Sequence, residues 1–184
     1  MSEAEFSPLQ LIKRRFFAMR NGIIADTMRK AGATYRIIFG LNLPQLKEIV
    51  AEFQPMATEL APQLWQNAST RESRLTAVML FSTFTTDAPK AEELIASLSD
   101  DETEVSDLIV MKLLKGAPHF DSTLEKLLQS QRQIDRYTAL RMAYSLVDDD
   151  STRPRALAIA RQEIARGDQA TLSLARQLEY DADW

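Results

Sequence analysis

Four apolar residues, Leu64, Ile95, Leu127 and Ile159, follow one another at separations of 31, 32 and 32 residues. Each lies in the first of two consecutive stretches with helical apolar spacing. A near-constant period of this length constrains the fold more than any other feature of the chain. One helix–turn–helix unit cannot bury its apolar faces alone, so neighbouring units must stack into a continuous core. The central unit carries the densest apolar run. From Thr103 to Lys115 a single buried helix is predicted, with Val105, Leu108, Ile109 and Leu113 on a wide stripe.

The expected fold is all-α, a right-handed solenoid of HEAT-like helical repeats (an α-α superhelix), with residues 1–184 forming one domain. Residues 1–54 make an N-terminal helical arm and entry helix, and residues 56–180 make four helix pairs. In the arm, helices are predicted over Pro8–Arg20 and Ile23–Lys30, followed by an extended, buried piece, Tyr35–Gly40. The entry helix is opened by the cap Asn42 with Pro44 in its first turn, and Pro55 ends it. The pairs comprise Met56–Asn67 with a helix begun at Ser69 or Thr70, Ala88–Leu98 with the central helix, Phe120–Leu128 with Gln131–Val147, and Arg153–Arg166 with Asp168–Tyr180. Ser69-Thr-Arg-Glu72 and Ser99-Asp-Asp-Glu102 both match capping boxes. The second helices, beginning near Thr70, Glu102, Arg132 and Asp168, are expected to line the concave side.

Several kinds of chemistry are excluded by composition. The 184 residues contain no cysteine and one histidine, His119. Disulfides, thiol catalysis and multi-histidine or cysteine zinc sites are therefore out. His119 follows Ala117-Pro118 and reads as a capping or surface residue. No Gly-rich phosphate loop and no cofactor motif appears, so no cofactor or metal is expected. No stretch is long enough to span a bilayer and the start is acidic, which reads as a cytoplasmic chain. The net charge is −4, yet residues 1–50 hold eight basic against four acidic side chains. The arm is thus positive by four and the rest negative by eight, either as a solvated surface or as a polyanion-facing arm.

Within the central helix Asp107 stands among apolar residues. Such a carboxylate either pairs with a nearby Lys or Arg or is placed for chemistry. Arg74, Lys112, Arg136 and Arg141 all fall on second helices; they make either a basic stripe along the concave side or salt bridges between repeats. Trp65 reads as core. Tyr137 and Tyr144, seven apart, share a helix face, either for packing or as an aromatic surface. Asp148-Asp-Asp-Ser151 reads as an acidic turn.

Tyr35-Arg-Ile-Ile-Phe-Gly-Leu-Asn-Leu-Pro-Gln-Leu-Lys47 resembles the entry segment of the DNA alkylation repair family of the AlkD-like type. Leu64-Trp65 followed by Arg71-Glu72-Ser-Arg74 is similar to that family's Leu-Trp and Glu-x-Arg patterns, and Asp107 falls where the family carries its active-site aspartate. The resemblance covers residues 35 to 147. It implies a DNA glycosylase that hydrolyses the N-glycosidic bond of cationic alkylpurines such as 3-methyladenine and 7-methylguanine in duplex DNA, without a cofactor. Asp107 would be catalytic, and Arg74, Lys112, Arg136 and Arg141 would bind nucleic acid. The alternative is a non-catalytic HEAT-like scaffold that binds DNA or a protein partner along its concave face. A monomer with no membrane contact is expected in either case. The chain departs from the family pattern at three points. Thr103 stands where a tryptophan is expected. No tryptophan follows Trp65 until Trp184. Of the expected basic pair only Arg136 is kept, followed by Tyr137.

Overall fold

The computed structural model describes residues 6–85 and 87–183. The acidic start, with Glu3 and Glu5, and Trp184 lie outside the described residues. The described residues form helices and turns with no strand; the only β feature among them is a single parallel bridge between Ile37 and Thr70. No described helix is long and apolar enough to cross a membrane. The chain divides into two compact units, Met1–Thr85 and Thr86–Trp184.

The first unit holds α1 (Pro8–Ala18), α2 (Gly22–Lys30), α3 (Leu43–Phe53), α4 (Ala57–Gln66) and α5 (Arg71–Phe81). Local chemistry sets the helix starts. Ser7 and Asn42 each form a capping box with the Gln three residues on, and Asn21 accepts from the N–H groups of Ile23 and Ile24. The core combines Ile12 and Phe16 of α1, Leu46 and Ile49 of α3, Leu60 and Leu64 of α4, and all of α5, whose eleven residues are buried.

The expected capping box at Ser69–Glu72 is not formed. Thr70 is the N-cap of α5 and makes no side-chain capping bond. Glu72, 0% exposed, instead accepts from the backbone N–H groups of Phe39 (3.0 Å), Gly40 (3.0 Å) and Leu41 (3.3 Å) and from Arg71 (3.0 Å). A carboxylate that satisfies a loop has more partners than one that caps a helix, which explains its choice. The 35–40 piece is accordingly a clasped loop, with Ile38 buried and Ile37 exposed. Gly40 adopts φ +79°, and a Cβ there would lie 2.2 Å from the Asn21 carbonyl oxygen. Left-handed backbone and backbone contact together forbid a side chain. Gly40→Ala is expected to cost more than about 2 kcal/mol, measured by urea unfolding, with Gly32→Ala, which meets nothing, as the milder comparison.

The second unit holds α6 (Ala88–Ala96), α7 (Thr103–Ile109), α8 (Phe120–Leu128), α9 (Gln133–Tyr144), α10 (Arg153–Arg166) and α11 (Gln169–Asp183). The central helix is shorter than predicted. It passes at Val110 into a π-helical turn, Val110–Leu114, closed by the Lys115 N–H on the Val110 carbonyl at 2.9 Å. The wider turn holds one extra residue and keeps Val110, Leu113 and Leu114 buried, with Met111 and Lys112 outside. Polar contacts between helix pairs recur at about the sequence period. Ser106 bonds Thr138 at 2.7 Å, Thr123 bonds Glu92 at 2.9 Å, the Ile134 N–H bonds Asp100 at 3.1 Å, and Arg155 bonds Glu125 at 2.8 Å. Their separations, 32, 31, 34 and 30 residues, match the spacing of Leu64, Ile95, Leu127 and Ile159.

Candidate active site

Asp107 sits on the last turn of α7, and its side chain is 31% exposed. Two groups of α9, one turn apart on the same face, reach it. The Tyr137 hydroxyl donates to Oδ1 at 3.1 Å, and the Arg141 Nε lies 2.8 Å from the same oxygen. No described residue bonds Oδ2. The carboxylate is thus fixed through one oxygen and presents the other.

Burial pushes the Asp107 carboxyl above the ordinary aspartate range; Arg141 and Tyr137 pull it back in part, and Glu104 adds to the rise. Burial, with the Asp107 charge beside it, pushes the Tyr137 phenol up to about 12. Tyr137 therefore stays protonated and serves as a donor throughout the neutral range. Thr103 on α7 lowers its pKa slightly in return. One helical turn beyond Arg141, Tyr144 carries the Arg141 guanidinium 5.3 Å from its ring centroid. Burial and the nearby Asp181 carboxylate push the Tyr144 phenol up to about 12, and its buried hydroxyl makes no hydrogen bond of good geometry.

The basic residues singled out in the sequence occupy different settings. Lys112 is exposed on the π turn, with no carboxylate in ion-pair range among the described residues. Arg141 is half-exposed beside Asp107. Arg136, 7% exposed, pairs with Glu163 at 3.1 Å and with Asp168, and donates to the Gln131 carbonyl at 2.7 Å. Arg74 belongs to the first unit and is 4% exposed; it donates to the Trp65 carbonyl at 3.0 Å and stacks 3.8 Å from the Trp65 ring centroid. Both guanidiniums are engaged inside the protein. Lys112 and Arg141 are left as the members of the expected set with solvent access. His119 is the N-cap of α8 without a side-chain capping bond. In the acidic turn, Asp149 accepts from the Ser151 N–H and hydroxyl, and Asp150 pairs with Arg153. No group of three or more potential metal ligands occurs among the described residues.

The sequence singles out Asp107 and Arg141 without pairing them, and offers Tyr137 for packing or as an aromatic surface without linking it to Asp107. The signal was available: Tyr137 and Arg141 lie 30 and 34 residues after Asp107, one repeat period on. A family model described as DNA alkylation repair enzyme matches residues 12–171. Searches of curated proteins and of solved structures returned no match.

Proposed function

The chain belongs to the DNA alkylation repair enzyme family, and from that premise we propose that it excises cationic alkylpurines, 3-methyladenine and 7-methylguanine among them, from duplex DNA. The observation that carries this reading is the Asp107 carboxylate, oriented through Oδ1 by Tyr137 and Arg141 with Oδ2 open. Hydrolysis breaks the bond between C1′ of the deoxyribose and the purine nitrogen. The electron pair leaves with the base, which departs neutral because alkylation had made it cationic. No general acid is needed. Positive charge grows on C1′ and the ring oxygen, and Oδ2 of Asp107 lies opposite it. An anionic group in a partly desolvated site stabilises that charge more than it would in water. Water then adds to C1′ and gives its proton to the carboxylate or to solvent.

Arg141 has two parts in this scheme. It offsets the cost of holding Asp107 ionised, and its exposed side offers a phosphate contact together with Lys112. The helix pairs act as stacked HEAT-like repeats, a reading supported by the 30–34-residue spacing of the bonds between them.

The test is single-turnover release of 7-methylguanine from methylated duplex DNA. Release no faster than from DNA alone would remove the enzyme reading and leave a binding surface for DNA or protein. Tyr137→Phe keeps the ring and deletes one charge-assisted hydrogen bond to Asp107. Release is expected to slow roughly tenfold. Since that bond lowers the Asp107 pKa, the acid limb of the pH–rate profile should move to higher pH. A rate and profile identical to wild type would show that Tyr137 only packs.

A further inference from the structure

We propose that the first unit carries a second binding site, an apolar cavity beside α1 that docks an acidic, amphipathic segment of a partner protein. The cavity is open to solvent and has a volume of about 900 Å³. Its walls are Leu11 and Phe17 of α1, Phe39 of the clasped loop, and Phe53 and Met56 at the end of α3 and just after it. Phe16 lies beneath, its ring centroid 5.9 Å from that of Phe39. Phe17 is 57% exposed, an unusual position for a phenylalanine with no partner surface.

The rim identifies the occupant. Lys13, Arg14 and Arg15 line the opening, all exposed. Arg15 is already paired with Glu52 at 2.8 Å. Lys13 and Arg14 have no carboxylate partner among the described residues. Arg20, whose guanidinium lies 3.8 Å from the Phe17 ring centroid, extends the positive charge past the end of α1. From Lys13 to Arg20 the rise is about 10 Å at 1.5 Å per residue. An anionic lipid concentrates its charge at one end and would leave most of that length unmatched. Duplex DNA would meet the cations but has nothing to fill a cavity walled by phenylalanine, leucine and methionine. A helix with aromatic or aliphatic anchors on one face and carboxylates on the other satisfies both, in the groove-binding mode of amphipathic segments. The site owes nothing to the glycosylase reading, which concerns the second unit.

The test uses the full chain and a short fluorescein-labelled amphipathic peptide with leucine and phenylalanine on one helical face and glutamate on the other. A twin carries lysine in place of each glutamate. Fluorescence anisotropy is expected to show the acidic peptide binding at least roughly tenfold more tightly than its twin. Phe17→Ser and the double substitution Lys13→Glu/Arg14→Glu should each weaken it by a similar factor. These side chains are exposed, so the thermal midpoint should be unchanged in both variants. Equal binding of the two peptides, no binding of the acidic one, or affinity undiminished in the variants would overturn the proposal. So would a duplex DNA oligonucleotide that displaces the peptide and itself loses affinity in the double variant, because the cations would then belong to phosphate.

Discussion

Asp107→Asn should reduce single-turnover release of 7-methylguanine by about a hundredfold to a thousandfold, the usual loss when one electrostatic group facing a developing charge is removed. Asparagine keeps the shape and can still accept from Tyr137 and Arg141, so binding of methylated DNA should change little. The loss belongs to the chemical step. A folding artefact is separable by pH. The folded carboxyl has a raised pKa, so its protonated form is favoured by folding. Its contribution to stability is fully present below the unfolded aspartate pKa and is lost as pH rises through the folded value. At neutral pH wild-type Asp107 is therefore a stability cost, and the asparagine variant should unfold at a urea concentration no lower than wild type. Below the ordinary aspartate range that advantage should vanish. Activity runs the other way: the ionised form is required, so wild-type release should fall as pH drops through the raised value. A variant that is both unstable at neutral pH and inactive would leave Asp107 as a structural residue. Release undiminished in a stable variant would move the chemistry elsewhere.

The parts of this arrangement that were legible in sequence are those governed by local rules or by the period. Asn42 announces a helix cap, Pro44 fits a first turn, and both stand as read; the reciprocal bond from Gln45 adds to them. Helix pairing follows from apolar spacing, because each amphipathic face needs a partner. What could not be read locally is which polar group finds which across a repeat. Glu72 looks like the last residue of a capping box because its neighbours have the right types, yet a loop 31 to 33 residues earlier offers three N–H donors, and burial makes them the stronger claim. Arg74 and Arg136 look like groove-facing cations by helix position. Their long stems allow the guanidinium to turn inward, onto Trp65 in one case and onto Glu163 and Asp168 in the other. The π turn at Val110–Leu114 has no sequence signature, since an unbroken apolar run suits an α-helix equally well. Tyr137 and Arg141 were hidden for a related reason. They meet Asp107 only because stacking adds one period to the numbering, and a period known to within two residues does not single out a partner.

Glu72→Ala should cost about 3–5 kcal/mol in urea unfolding, the largest stability loss expected of any substitution in the first unit. The substitution removes one side chain but orphans three donors, the N–H groups of Phe39, Gly40 and Leu41, and takes an ion-pair partner from Arg71. Arg71, itself 3% exposed, would keep the Leu41 carbonyl at 3.0 Å and lose its contact with Glu72. Leaving several buried N–H donors without an acceptor is what makes such losses exceed the net worth of the bonds. Glu72→Gln gives an internal control. With its oxygen at the Oε1 position it keeps the bonds from Gly40, Leu41 and Arg71 and turns an amide against the Phe39 N–H, so it should cost distinctly less than alanine. The consequence extends beyond stability. Phe39 forms one wall of the α1 cavity, and the Asn21 N–H is tied to its carbonyl at 2.8 Å. Loosening the clasp should therefore weaken the acidic peptide even under conditions where the variant remains folded, whereas substitutions at Asp107 should leave that binding untouched. An alanine cost below about 1 kcal/mol would mean that water replaces the carboxylate, and the loop would then owe its place to the Ile37–Thr70 bridge, the Arg71 bond to Leu41 and the close approach of Gly40 to Asn21.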